Sequence, residues 1–108
     1  EPFLVAMIET VKGLGNLEQI LSSEFLDALI IGPYDLSASL GTCGEFDSPE
    51  FKKAYDQIRK LCNKYNVPFG SHLIDPCNLR LKKTIDDGAK FIAFSMDSVM
   101  IYASKPNI

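Results

Sequence analysis

The stretch Ile30-Ile31-Gly32-Pro33-Tyr34-Asp35-Leu36-Ser37 decides the fold of this chain. Together with Leu29, its first two residues make a run of apolar β-formers that stops at a Gly-Pro pair. Such a run predicts a buried strand, and the Gly-Pro pair predicts a tight turn directly after it. We therefore expect Asp35 to lie at the carboxyl end of a buried strand.

A second carboxylate, Glu9, ends another strand-like run in the same way. Residues 3–8 are almost continuously apolar, which is typical of a strand covered on both faces in a parallel sheet. Neighbouring parallel strands lie about 4.8 Å apart, so Glu9 and Asp35 can converge on one cation. Spacing alone leaves two other interpretations open: Glu9 could complete a helix N-terminus, and Asp35 could cap a turn at residues 36–40.

The rest of the chain alternates strands with helices. Apolar runs predict further strands at residues 26–31, 67–74 and 91–96, and helical spacing predicts helices at 17–23, 48–65, 79–87 and 99–104. The predicted N-caps are Asn16, Ser48 and Asp97-Ser98. This order favours an α/β fold with a parallel sheet and right-handed crossovers. Four βα units make half of a (β/α)8 TIM barrel, whose full length is typically about 250 residues.

Composition excludes several classes of protein. The chain has 108 residues, 46% of them hydrophobic and 23% charged, and a net charge of −3. A mildly acidic chain without a basic cluster gives no reason to expect nucleic acid or an anionic membrane as a partner. The apolar runs are far shorter than the roughly 20 residues of a membrane span. No signal-peptide pattern is present, so a cytoplasmic location is expected.

The start of the chain suggests that residues 1–108 are a partial barrel domain. The chain begins at Glu1 rather than at methionine, and a predicted strand follows almost at once. A half barrel has two bare sheet edges, which favour aggregation. We therefore expect the other half to come from a missing part of the same polypeptide or from a second copy, and we expect a homo-oligomer.

Motifs along nearly the whole chain resemble one known family. They are Met7-Ile8-Glu9-Thr10, Asn16-Leu17 with Ile20-Leu21, the Gly32–Ser37 stretch, Ser48-Pro49-Glu50, Gly70-Ser71-His72, Asp87-Gly88 and Phe91-Ile92-Ala93-Phe94-Ser95-Met96-Asp97. The family is that of the HpcH/HpaI aldolases, metal-dependent class II aldolases of the pyruvate type that are related to the β subunit of citrate lyase. The similarity covers only the C-terminal half of the family's barrel.

The resemblance implies a metal site and a reaction. Glu9 and Asp35 match the two metal-binding carboxylates of the family, and the implied cofactor is a divalent metal, Mg²⁺ or Mn²⁺, with Co²⁺ also possible. The implied reaction cleaves or forms the aldol of a 2-oxo acid such as pyruvate with an aldehyde, through an enolate that the cation stabilises. The implied substrate-binding positions are Met7, Gly32, Pro33 and Tyr34.

The turn itself suits the substrate that the resemblance implies. The backbone N–H groups of Tyr34 and Asp35 open a helical turn, where an anionic carboxylate is favoured. Gly32 allows close approach of the backbone, and Pro33 stiffens the turn. Met7 stands where many relatives carry a glutamine that contacts substrate, so we expect an apolar contact there in place of a hydrogen bond.

No catalytic residue is assigned within this chain. The family's catalytic His and Arg lie in the N-terminal half, so we expect the isolated 108 residues to be inactive. His72 is interpreted as a structural or outward-facing histidine, and Asp97 as a helix cap. Two alternatives stay open: a CoA-ester lyase of the citrate lyase β type, and a non-catalytic half barrel that only assembles with a partner.

Overall fold

Within residues 2–107, the part of the chain that the computed structural model describes, four strands alternate with six helices. In chain order they are β1 (Val5–Ile8), α1 (Val11–Gly15), α2 (Leu17–Leu21), β2 (Ala28–Ile31), α3 (Pro33–Ser39), α4 (Pro49–Lys64), β3 (Phe69–Leu73), α5 (Asn78–Asp86), β4 (Phe91–Phe94) and α6 (Asp97–Ala103). No helix within residues 2–107 is both long enough and apolar enough to cross a bilayer.

The strands form one sheet in the order β1-β2-β3-β4, with every neighbouring pair parallel. Each strand therefore lies beside the strand that follows it in the chain, and helices connect them. Sequential parallel strands joined by helical crossovers are the topology of a (β/α)8 barrel. The predicted α/β fold is confirmed, and its four βα units amount to half of such a barrel.

The hydrophobic core lies between the sheet and the helices. Ile8 of β1 and both Leu29 and Ile31 of β2 are at most 1% exposed. They belong to the same cluster as Ile58 and Cys62 of α4, which are fully buried. Burial of each large aliphatic side chain contributes about 1.5–3 kcal/mol relative to leaving it in water. The alternating pattern of these residues fixes which face of the sheet the helices cover.

The opposite face of the sheet is more open. Met7 and Ile30 are register partners on this face, and Met7 is 51% exposed. Gly70 of β3 pairs with Ile30 on one side and Phe91 on the other. A Cβ atom on Gly70 would lie 2.6 Å from the Phe91 ring atom Cδ2 and would overlap the Phe91 carbonyl oxygen. Glycine at position 70 is therefore required by the close approach of β4.

The helix predicted at residues 17–23 is present as α2, which begins at Leu17, and a second short helix, α1, precedes it. Thr10, not Asn16, provides the side-chain cap, since its Oγ1 accepts a hydrogen bond of 2.9 Å from Gly13 N. Asn16 separates the two helices and makes no capping bond with its side chain. Asn16 nevertheless occupies the predicted N-cap position of α2, and the prediction missed only the preceding helix α1, which begins at Val11.

The helix after β2 also begins earlier than predicted. It starts at Pro33 rather than at residue 36, with Gly32 as the N-cap residue. Proline suits the first helical position, because its missing N–H would have no partner there. Asp35 therefore lies in the first turn of α3 and does not cap the helix.

Of the N-caps predicted for α4 and α6, the first is confirmed and the second lies one residue earlier. Ser48 Oγ accepts a hydrogen bond of 3.2 Å from Phe51 N, as predicted for the N-cap of α4. Helix α6 begins at Asp97 itself, with Met96 at the N-cap, so Asp97 is not the cap residue. The predicted strand at 91–96 ends at Phe94, because Ser95 has a φ of 62° and leaves the β conformation.

Candidate active site

The carboxyl ends of β1 and β2 bring Glu9 next to Gly32. Ile8 pairs with Ile31, and Gly32 N donates a hydrogen bond of 3.1 Å to Ile8 O. The backbone pairing therefore continues one residue past the strands. Since ligands bind at the carboxyl ends of the strands in parallel α/β sheets, this edge is where a site is expected.

Gly32 lies directly beneath the side chains of Met7 and Glu9. A Cβ atom at position 32 would lie 3.3 Å from Glu9 Cβ, 3.4 Å from Met7 Sδ and 3.6 Å from Glu9 Oε2. Met7 and Glu9 therefore project over the same residue, as expected for alternate positions of one strand. A side chain at position 32 would therefore crowd Glu9 Cβ and come into van der Waals contact with the Glu9 carboxylate.

The next turn of the chain carries Tyr34 and Asp35. The first backbone hydrogen bond of α3 runs from Leu36 N to Gly32 O at 2.9 Å, so the amides of Tyr34 and Asp35 precede it. Such amides have no partner within a helix. Pro33 is buried, whereas Tyr34 and Asp35 are exposed.

The carboxylates of Glu9 and Asp35 are oxygen donors of the kind that a hard divalent cation prefers. Glu9 is half-buried and Asp35 is exposed, and neither carboxylate takes part in an ion pair within residues 2–107. Mg²⁺ is commonly held by one or two carboxylates together with waters and substrate oxygens. Over the described range, no group of three or more His, Cys, Asp or Glu side chains is arranged to hold a metal. A cation here would therefore depend on ligands beyond these two carboxylates.

The loop at residues 41–47 is a part of the site that the sequence did not reveal. Ser37 Oγ donates to Tyr34 O at 2.8 Å and accepts from Gly44 N at 2.9 Å. The Phe46 ring meets the Tyr34 ring edge-on, with centroids 5.1 Å apart. Glycines such as Gly44, with a φ of 76°, mark a loop in the sequence but not the residue on which the loop packs.

A cavity of about 470 Å³ lies beside this loop, between α4, α5 and the end of β3. Tyr34, Phe46 and His72 are among its lining residues. His72 is half-buried, and its Nε2 lies 3.0 Å from Ser95 O, which agrees with the structural role predicted for it. The ring therefore has a hydrogen-bond partner within the fold.

A network centred on Asp87 joins α4 to the end of α5 on the far side of this cavity. Asp87 is paired with Arg59 at 3.1 Å and with Lys83 at 3.0 Å, and Tyr55 Oη donates to it at 3.3 Å. Burial, reinforced by the Asp87 charge, raises the pKa of Tyr55 far above its ordinary value of 10.0. Burial likewise raises the pKa of the Cys62 thiol to about 11. These groups are held in their neutral or paired forms, as structural groups are.

Comparison with known proteins agrees with the family resemblance seen in the sequence motifs. The sequence model of the HpcH/HpaI aldolase/citrate lyase family matches residues 1–103. The chain is 37% identical over 99 residues to the hydroxypyruvate/pyruvate aldolase of Sagittula stellata, and 31% identical over 94 residues to the 5-keto-4-deoxy-D-glucarate aldolase of Klebsiella pneumoniae. These alignments cover 91% and 87% of this chain but only 38% and 36% of the two relatives.

Solved structures give the same result for the fold. The HpcH/HpaI aldolase from Desulfitobacterium hafniense matches with a TM-score of 0.85 and 27% identity over 94% of this chain, which is 39% of that protein. A family protein from Burkholderia cenocepacia has a TM-score of 0.87 at 24% identity. The chain thus spans little more than a third of the length of these relatives.

Proposed function

This chain belongs to the HpcH/HpaI aldolase/citrate lyase family, and from this premise we propose that it forms the metal-binding part of a divalent-metal-dependent aldolase. The proposed enzyme is a carbon–carbon lyase that cleaves or forms the aldol of a 2-oxo acid, such as pyruvate, with an aldehyde. The observation that carries the proposal is the packing of Glu9 over Gly32, one turn from Asp35.

In this proposal Glu9 and Asp35 hold Mg²⁺ or Mn²⁺, with Co²⁺ as an alternative. When bound, the cation supplies the positive charge that favours an enolate over the neutral 2-oxo acid. The two carboxylates provide anionic oxygens from separate elements, the end of β1 and the first turn of α3. Hard oxygen donors of this kind match these metals better than sulfur or imidazole ligands do.

The backbone at the start of α3 is proposed to orient the 2-oxo acid. The amides of Tyr34 and Asp35 precede the first helical hydrogen bond and can donate to a substrate carboxylate. Pro33 is buried, which fixes the turn, and Gly32 leaves room above it. The side chain of Met7 also lies over Gly32. There it would cover an apolar part of the substrate and exclude water from it.

The names of the relatives support an aldolase of keto acids. The Sagittula protein is named for hydroxypyruvate and pyruvate, and the Klebsiella protein for 5-keto-4-deoxy-D-glucarate. Because the chain spans only 38% and 36% of these proteins, the complete activity would need further residues, including a general base. We therefore expect the isolated chain to give no aldol cleavage, with the remaining barrel supplied in the intact protein or its homo-oligomer.

Titration calorimetry on the intact protein tests this function. Mn²⁺ is titrated first and pyruvate second, into the wild type, Asp35→Asn and a matched control, Asp47→Asn. Asp47 is an exposed acid of the neighbouring loop and belongs to no ion pair among residues 2–107. We expect the wild type and the control to bind Mn²⁺ and then pyruvate, and Asp35→Asn to bind neither.

Two results would favour other functions. If the intact wild type binds no divalent cation, a non-catalytic half barrel that assembles with a partner explains the fold better. If the protein cleaves a CoA ester but no free aldol, it is a CoA-ester lyase of the citrate lyase type. Aldol cleavage by the isolated 108 residues would contradict the proposed division of the active site.

A further inference from the structure

Ser37 joins the first turn of α3 to the loop that follows this helix. Its side chain is completely buried and makes two hydrogen bonds, donating to Tyr34 O at 2.8 Å and accepting from Gly44 N at 2.9 Å. Its backbone carbonyl accepts a further bond of 2.9 Å from Thr42 N. One residue therefore fastens the loop at residues 41–47 against the start of the helix.

The same loop is also held from its outer side. The Phe46 ring lies edge-on to Tyr34, with an interplanar angle of 85°, and it also packs against Phe51 of α4, with the ring centroids 5.3 Å apart. Gly44 passes close to Tyr34, since a Cβ atom on it would lie 3.6 Å from Tyr34 Cε1. The loop is thus packed between α3 and α4, and Tyr34 is in contact with it at two points.

The hydrogen bond from Ser37 acts on the peptide group that carries Asp35. The Tyr34 carbonyl and the Asp35 amide belong to one planar peptide unit. A hydrogen bond that fixes the carbonyl therefore fixes the orientation of the peptide unit from which Asp35 projects. At the other end of the turn, Gly32 is fixed by its hydrogen bond to Ile8 O, and the side chain of Glu9 lies over it. Only Pro33, whose φ is locked by its ring, lies between Gly32 and Tyr34.

We propose that Ser37 is a positioning residue that holds Asp35 where it can share one divalent cation with Glu9. This inference rests on the proposed metal site and adds to it the residue that sets its geometry. The hydroxyl touches no metal or substrate position itself. Residues that orient a metal ligand in this way typically contribute about 10–100-fold to metal affinity.

The test is titration of Mn²⁺ alone into the intact protein, comparing the wild type with Ser37→Ala and Ser48→Ala. Ser48 is the matched control, because it is a half-buried serine next to this loop whose hydroxyl bonds to Thr42 and Phe51 rather than to Tyr34. We expect Ser37→Ala to weaken Mn²⁺ binding about tenfold, and Ser48→Ala to bind within about twofold of the wild type. Thermal unfolding of the metal-free proteins is the accompanying measurement, and we expect both variants to unfold at a lower temperature than the wild type, since each loses hydrogen bonds.

Two outcomes would overturn the inference: Mn²⁺ binding by Ser37→Ala equal to the wild type, or an equal loss in Ser48→Ala. Ser37→Cys keeps the side-chain volume with only a weak donor, so it gives the same test if the alanine variant does not fold. If the wild type itself takes up no Mn²⁺, the proposed function fails together with this inference. Wild-type binding that Ser37→Ala leaves unchanged removes only the role of Ser37.

Discussion

Two sets of carboxylates in this chain have opposite surroundings. Asp87 has a side chain only 15% exposed and is matched by Arg59 and Lys83. Glu9 and Asp35, at the strand ends, take part in no ion pair within residues 2–107. Removing a carboxylate such as Asp87 destabilises the fold, because its cationic partners are left unpaired. A carboxylate that is left unbalanced at the mouth of a parallel sheet remains available to an external cation.

Replacing an acid of the strand-end pair should have the largest effect. We expect Glu9→Gln to weaken Mn²⁺ binding to the intact protein at least about 100-fold, which is about 2.7 kcal/mol, because a neutral amide oxygen replaces an anionic ligand. The same change should leave the thermal unfolding midpoint unaltered. A loss of stability with unchanged Mn²⁺ affinity would show that Glu9 is a structural residue like Asp87.

Replacing the balanced acid should give the reverse pattern. We expect Asp87→Asn to lower the free energy of unfolding by about 2 kcal/mol, since it leaves Arg59 and Lys83 without their partner and weakens the bond from Tyr55. Urea denaturation measures this loss, and Mn²⁺ titration should give the wild-type affinity. A variant that loses the metal but keeps its stability would overturn the distinction between the two sets.

A methyl group added at Gly32, beneath Glu9, tests whether Mn²⁺ binding depends on the position of the Glu9 side chain. We expect Gly32→Ala to weaken Mn²⁺ binding about tenfold, because its Cβ would press on Glu9 Cβ at 3.3 Å and displace the carboxylate. Gly15→Ala is the control, since a Cβ there would meet no atom within 4 Å. Equal affinities in the two variants would mean that Gly32 serves only the backbone turn.

The smallest expected effect concerns pH and the Asp87 network. The pKa of Tyr55 is raised in the fold, so the unfolded chain loses this proton first, above about pH 10, and the stability that Tyr55 contributes is then lost as pH rises. Below that pH, Tyr55→Phe should cost about 1 kcal/mol for the lost hydrogen bond. Urea denaturation of both proteins at pH values on either side of 10 should show the difference shrinking in alkali. A constant difference would contradict this.

The sequence predicted those parts of the fold that depend on local pattern. The apolar run ending at Ile31 gave β2, and Ser48 with Pro49 gave the start of α4. The start of α2 after Asn16 was predicted, but the short helix α1, which Thr10 caps, was missed. Gly13 and Gly15 lower the helix propensity of these few residues, so local pattern did not predict a helix there.

The site was only partly accessible from the sequence for a different reason. That Glu9 and Asp35 end successive strand regions can be read along the chain, but the contact of Glu9 with Gly32 depends on the register of β1 and β2. The Tyr55–Asp87 bond joins residues 32 positions apart, and no local pattern predicts such a pair. The sequence likewise named Ser37 only as part of a motif, without its bonds to the loop.

The close approach of β4 to Gly70 limits how this protein can vary in evolution. Because a Cβ atom at position 70 would overlap both the ring and the carbonyl oxygen of Phe91, a library randomised at this codon should return only glycine among folded variants. Met7, on the same face but 51% exposed, has room to change. Substitutions can therefore accumulate at Met7 of the first strand, while Gly70 of the third strand stays constant.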